Sequence, residues 1–238
     1  MPASALLSRL AARIGLLTSA LALLSACASN PVDPDAPGII TTNTVWYWLG
    51  SATLANSVTI ADPSLYSLEL TGSRVLMRTE AQIRADCNRG TGKSDTSHEG
   101  RIWIEKIALS RAMCPPGSQD ARYLNDLELL AQAEVRGPVM RVEQTQIGNV
   151  SYFSRDPKTR MAVYRCAGTA DLPVALINGD TLRLWSAEGF EILTRSPAAS
   201  GELFVNGGTA FHSKGRDAFV ERNGVKVFSD CRQVGDPR

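Results

Sequence analysis

Histidine is scarce in this 238-residue chain, which holds only His98 and His212. Neither has a second histidine or a carboxylate at ligand spacing, so no metal site is expected. Excess charge of one sign is missing too: 25 lysines and arginines face 24 aspartates and glutamates, a formal net charge of +1. That balance argues against a nucleic-acid-binding protein, which would carry a basic stripe. No apolar run reaches the roughly 20 residues of a spanning helix. The chain has no Gly-x-Ser-x-Gly elbow and no internal repeat relating its halves. Spacing alone leaves a Ser-His-Asp triad open, because triads assemble in space, but nothing else points to an enzyme.

One loop invites a nucleotide. Gly90-Thr91-Gly92-Lys93-Ser94 has the end of a phosphate-binding loop, yet the full pattern needs glycine five residues before Gly92, where Cys87 stands. The polar stretch 95–100 that follows reads as loop where that motif requires a helix. Neither nucleotide nor cofactor is expected.

Arg9 and Arg13 precede the apolar run 14–24, which ends in small residues. This is the pattern of a secretory signal peptide, spanning 1–26. Leu24-Ser25-Ala26-Cys27 resembles a bacterial lipobox, which implies cleavage ahead of Cys27 and diacylglyceryl attachment to its thiol. The three acyl chains usual for such lipoproteins would meet the need for at least two membrane signals. Ala28 follows, where an aspartate would resemble an inner-membrane retention signal, so the expected location is the outer membrane, facing the periplasm. Residues 27–40 then read as lipidated cysteine plus a Pro-rich tether, with the folded mass starting near Ile40.

Four cysteines remain, and four allow three pairings. Cys87 and Cys114 fall in the first half and Cys166 and Cys231 in the second. The simplest pairing joins neighbours, one staple per small domain, as small cores require.

From Thr44 onward short aromatic and β-branched runs predict strands: 45–49, 66–70, 75–77 and 102–104. A helix is predicted between Ser118 and Ala133, where Leu124, Leu127 and Ala131 recur at helical spacing, Ser118 caps the start and Asp120 stands in the first turn. A polar break with Pro157 lies at 156–161. Beyond it, turn signals at 178–180, 187–189, 206–208, 214–216 and 222–224 separate about eight short strands. The expected fold is therefore mainly β. An α+β domain with one helix spans 41–155, and a small antiparallel eight-stranded barrel spans 162–238. Cys166 falls on its first strand and Cys231 after its last.

Two resemblances sharpen this outline. Asp86-Cys87-Asn88-Arg89-Gly90, then Arg111-Ala112-Met113-Cys114-Pro115-Pro116-Gly117-Ser118, then Tyr123-Leu124-Asn125-Asp126-Leu127 resemble, in order and spacing, the META family that includes the heat-shock lipoprotein HslJ. That likeness implies a fold and no mechanism. In the second half, Tyr164-Arg165-Cys166, Ser200-Gly201-Glu202-Leu203-Phe204, Phe211-His212-Ser213-Lys214-Gly215 and Cys231 resemble the MliC family of membrane-bound inhibitors of c-type lysozyme. In that family a Ser-Gly-x-x-Tyr loop and an aromatic-Trp-x-Lys-Gly loop enter the lysozyme cleft, with the serine fourteen positions before the lysine. Ser200 and Lys214 keep that separation. Phe204 replaces the motif tyrosine and His212 the motif tryptophan.

The resemblance implies an inhibitor whose partner is c-type lysozyme and whose contacts are Ser200, Gly201, Phe204, Phe211, Lys214 and Gly215. Lysozyme works with one protonated and one ionised carboxyl. An ammonium can pair with the ionised one while a serine hydroxyl bonds the other. From Ala162 onward nine bases face nine acids, so net charge would not steer a basic partner, and loop fit must supply the affinity. Two rivals remain. One is a structural or stress-related envelope lipoprotein acting through its first domain, and the other is a small-ligand carrier using the barrel interior.

Overall fold

The computed structural model describes residues 37–235 apart from 39, 54–55, 74–77, 98 and 169–170. The signal segment, Cys27, Ala28, His98 and the strand expected at 75–77 lie outside the described residues.

The first half forms one antiparallel sheet from β1 (Pro37–Gly38), β2 (Val45–Ala52), β3 (Val58–Thr59), β4 (Tyr66–Ser73), β5 (Arg78–Ala85), β6 (Asn88–Thr96), β7 (Ile102–Leu109), β8 (Leu130–Arg136), β9 (Val139–Gln144) and β10 (Val150–Ser154). Its order is β1-β8-β9-β10-β2-β4-β5-β6-β7, with β3 beside β2. The sheet curls until its far ends meet. Arg101 bridges Gln132, and Ala133 donates to Gly100 across the gap at 2.8 Å. Helix α1 (Asp120–Glu128) fills the concave side, burying Tyr123 and Leu127 against Trp46 and Trp48. Ring centroids of Trp48, Tyr66 and Tyr123 lie 5.1 to 5.7 Å apart.

The helix is shorter than expected. It ends at Glu128, and 130–136 is a strand that pairs with β9 in a ladder from Leu130↔Gln144 to Arg136↔Val139. Leu130, Ala133 and Val135 are buried there, with an irregularity between Leu130 and Gln132 that restores period-two alternation and overrides the helical spacing of Ala131. The N-cap is Gln119, whose side chain makes no capping bond, and the Ser118 hydroxyl accepts from Asp120 N–H at 3.3 Å. The Gly90–Ser94 stretch is strand, not loop. A Cβ on Gly90 would stand 1.9 Å from the Ala108 carbonyl oxygen, so glycine there serves close strand approach.

The second half closes into a barrel of eight antiparallel strands: β11 (Arg160–Arg165), β12 (Leu172–Ile177), β13 (Thr181–Ser186), β14 (Gly189–Ser196), β15 (Glu202–Asn206), β16 (Thr209–Lys214), β17 (Asp217–Arg222) and β18 (Val225–Val234). The closing ladder between β11 and β18 has three residue pairs. Both disulfides have the expected pairing, Cys87–Cys114 and Cys166–Cys231. Their positions differ slightly from expectation. Cys166 lies one residue past β11 and Cys231 inside β18, because the last strand runs on to Val234. The barrel interior is packed with its own side chains, among them Leu184, Leu193, Phe204, Phe211 and Val220.

Residues Pro37–Arg238 form one compact unit. Its seam is a third buried cluster. Leu49, Ala52, Val139 and Tyr152 on the convex face of the first sheet pack against Met161, Val163, Ala175, Ile177 and Trp185 on the outside of β11–β13. Those barrel strands are therefore covered on both faces, and Leu172–Ile177 reads as a continuous apolar run for that reason.

Candidate functional site

Two turns at one end of the barrel carry the residues singled out in the second half. Between β16 and β17, Lys214 pairs with Asp217 across a two-residue turn. Gly215, at φ +61°, supplies the positive φ that the first central position of a type II′ turn demands. Ser200 lies in the 197–201 connection between β14 and β15. Gly201 has φ +72°, and a Cβ there would meet the Ser213 carbonyl oxygen at 2.2 Å and the Lys214 Cβ at 3.1 Å. The connection thus lies directly on the strand that ends in Lys214, and only glycine permits that approach.

Ser200 and Lys214 consequently line one groove of about 630 Å³. Both are exposed, and among the described residues neither is engaged in a side-chain hydrogen bond or ion pair. The charges lining the groove balance: Lys214, Lys226 and Arg232 against Glu202, Asp217 and Asp230. Glu202 is held by Arg195 at 2.8 Å. Beneath the groove Tyr164 hydrogen-bonds Ser213, and burial, aided by the Glu202 charge, pushes its phenol up despite that bond.

Phe204 and Phe211 are placed differently from the polar pair. They are 1% and 2% exposed and belong to the barrel core, with Phe211 edge-on to Tyr164 at 5.6 Å and the Arg195 guanidinium 4.7 Å from the Phe204 ring centroid. They support the two turns from below and present no surface to a partner. Burial of Phe204 also means that the hydroxyl it lacks is not lost from the outer face. His212, at the motif tryptophan's position, stacks on Phe219 at 4.3 Å on the outer wall, 3.8 Å from Glu221, with the Lys226 ammonium 4.3 Å from the same Phe219 ring.

Lys226, Ser229, Asp230 and Arg232 on β18 form the third wall of the groove, and no sequence motif marks them. Asp230 has φ +52° immediately before the disulfide cysteine, a backbone feature that composition does not announce. In the first half, Asn88 organises the turn around the other disulfide. It donates to the Ala112 carbonyl at 3.1 Å and accepts from Ala112 N–H at 2.8 Å and from the Ser110 hydroxyl at 3.0 Å. Arg89 donates to the Asp86 carbonyl at 2.6 Å. Among the described residues no cluster of histidine, cysteine and carboxylate could hold a metal, and no helix is long and apolar enough to cross a membrane.

Residues 50–157 match the family model of the META domain, which ends before the first barrel strand. The NMR structure of a protein from Burkholderia xenovorans aligns at 21% identity and a TM-score of 0.39, covering 48% of this chain and 83% of that one. No curated protein matches the chain.

Proposed function

We propose that this chain is a lipid-anchored envelope protein that inhibits c-type lysozyme, inserting Lys214 and Ser200 into the catalytic cleft and performing no chemistry of its own. One observation carries the reading: two motif residues fourteen positions apart line the same groove, both exposed and, among the described residues, both without an internal side-chain partner. A lysine already paired would have to give up that pair on binding. An unpaired one loses only water, and in a closed cleft its bond to an ionised carboxylate is charge-assisted. Ser200 offers a neutral hydroxyl to the protonated carboxyl. The groove's balanced charge removes long-range attraction, so residence time, set by fit, dominates affinity.

The disulfide and the buried Phe204–Phe211 pair hold the two turns before the partner arrives, which lowers the ordering cost of association. Lipid on Cys27, with the residues behind it as tether, would hold this groove on the periplasmic side of the outer membrane, where lysozyme reaches the wall.

The META match in residues 50–157 favours a second reading, an envelope or stress-related role resting on the first half without lysozyme inhibition. Full-length protein added to c-type lysozyme acting on a soluble oligosaccharide substrate separates the two. Inhibition that substrate overcomes competitively is the expected result. Undiminished hydrolysis at micromolar protein would select the second reading.

A further inference from the structure

We propose that the seam between the curled sheet and the barrel is a saccharide-binding site, distinct from the Ser200–Lys214 groove and independent of the inhibitor reading. A cleft of about 730 Å³ opens there, within the size range of small-molecule sites, which favour junctions between packed units. It shares no lining residue with the groove.

Its chemistry has two parts. The floor is aromatic: half-buried Phe190 presents its ring, backed by Trp185 and Tyr152, which are themselves buried in the seam, with ring centroids 5.4 Å from Trp185 to Phe190 and 5.2 Å from Trp185 to Tyr152. The rim consists of ion pairs already made. Arg165 donates twice to Asp171, at 2.8 and 2.9 Å, and Arg136, which lies 5.8 Å over the Phe190 ring, pairs with Glu134 at 2.7 Å. Arg141 at the same cleft is bonded to Glu143 at 2.9 Å.

Because each guanidinium is compensated, the cleft offers a free anion no unmet positive charge. It offers instead fixed donors and fixed acceptors side by side. A hydroxyl both donates and accepts, so a polyhydroxylated ring can bond a carboxylate and its guanidinium together without leaving either unpaired. The C–H face of such a ring suits the aromatic floor, while its hydroxyl edge meets the rim. A purely apolar ligand would leave the rim unsatisfied, at the cost of burying charge without a partner.

The site is split across the seam. Glu134, Arg136 and Tyr152 come from the first sheet, and Arg165, Asp171, Trp185 and Phe190 from the barrel. Neither half contains it alone, which gives the fusion of the two a use beyond mutual support.

The test is titration of the full-length protein with chitotriose, with maltotriose and with inorganic phosphate, followed by calorimetry and by NMR. Saturable binding of a trisaccharide is expected, weakened about tenfold or more in the Arg136→Gln/Arg165→Gln variant, since hydrogen bonds to charged groups are lost, and unchanged in Lys214→Ala. Both glutamines replace partly exposed side chains, and the circular dichroism of the variant checks that it is folded. Four results overturn the proposal: no trisaccharide binding up to about 10 mM, about tenfold above a millimolar dissociation constant; phosphate binding in place of sugar; binding undiminished in the glutamine variant; or binding lost in Lys214→Ala.

Discussion

Replacing Gly201 and Gly215 separately by alanine isolates what holds the Ser200 turn against Lys214. Both glycines have positive φ, +72° and +61°, and forcing an alanine into that region costs about 1–2 kcal/mol at either site. They differ in surroundings. Among the described residues nothing lies within 4 Å of a Cβ at Gly215, whereas at Gly201 the Ser213 carbonyl oxygen stands at 2.2 Å. Backbone oxygen cannot rotate away as a side-chain end can, so β15 and β16 must separate where Glu202 pairs with Ser213. Overpacking of this kind adds about 1–3 kcal/mol. Gly201→Ala should therefore lose about 2–5 kcal/mol of stability in total and Gly215→Ala about 1–2. Urea unfolding with the disulfides intact, compared at equal m-value, measures both. Equal losses for the two variants would show that the turn is not held by contact with β16, and the account of how the groove is built would fail.

Two further perturbations probe the rest of the fold. Leu49, fully buried in the seam cluster, should cost about 2–5 kcal/mol as Leu49→Ala. Because the cluster spans both halves, hydrogen exchange should quicken at barrel amides as well as in the first sheet; unaltered barrel exchange would contradict a shared core. Burial raises the phenols of Tyr123 and Tyr152. Above pH 10 the unfolded chain gives up those protons while the native state keeps them, so stability is intact below pH 10 and falls as pH rises further. The limiting slope is about 1.4 kcal/mol per pH unit for each tyrosine. Tyr123→Phe should halve the part of the slope due to this pair and, because the buried Tyr123 hydroxyl has no hydrogen-bond partner among the described residues, raise neutral-pH stability by about 1 kcal/mol. An unchanged alkaline slope in urea titrations would count against it.

Legibility in the sequence followed locality. Barrel strands separated by Asn-Gly and Lys-Gly turns were readable because each turn fixes its own φ, as at Asn223-Gly224, both positive. The disulfide pairs followed from which half each cysteine occupies. Ser200 and Lys214 were readable as a spacing, although only the register of β15 on β16 brings them to one groove. Non-local features escaped. Leu130–Arg136 carries enough leucine and alanine to pass for helix, and only its ladder with β9 decides otherwise. Motif position does not distinguish a ring that touches a partner from one that supports the turn, and only burial in the barrel core assigns Phe204 and Phe211 to the second role. The seam is not legible in either half alone. The apolar outer positions of β11–β13, and the cleft with Trp185 and Arg136, exist only when the halves are packed together.

The central claim rests on Lys214, and its most direct test is the inhibition constant of full-length Lys214→Ala against c-type lysozyme, measured beside wild type and beside Lys158→Ala, an exposed lysine outside the groove. Losing one partner of a desolvated charge pair costs about 2–5 kcal/mol, which predicts inhibition about 30-fold or more weaker for Lys214→Ala and unchanged for Lys158→Ala. Equal inhibition constants for Lys214→Ala and wild type would contradict the account.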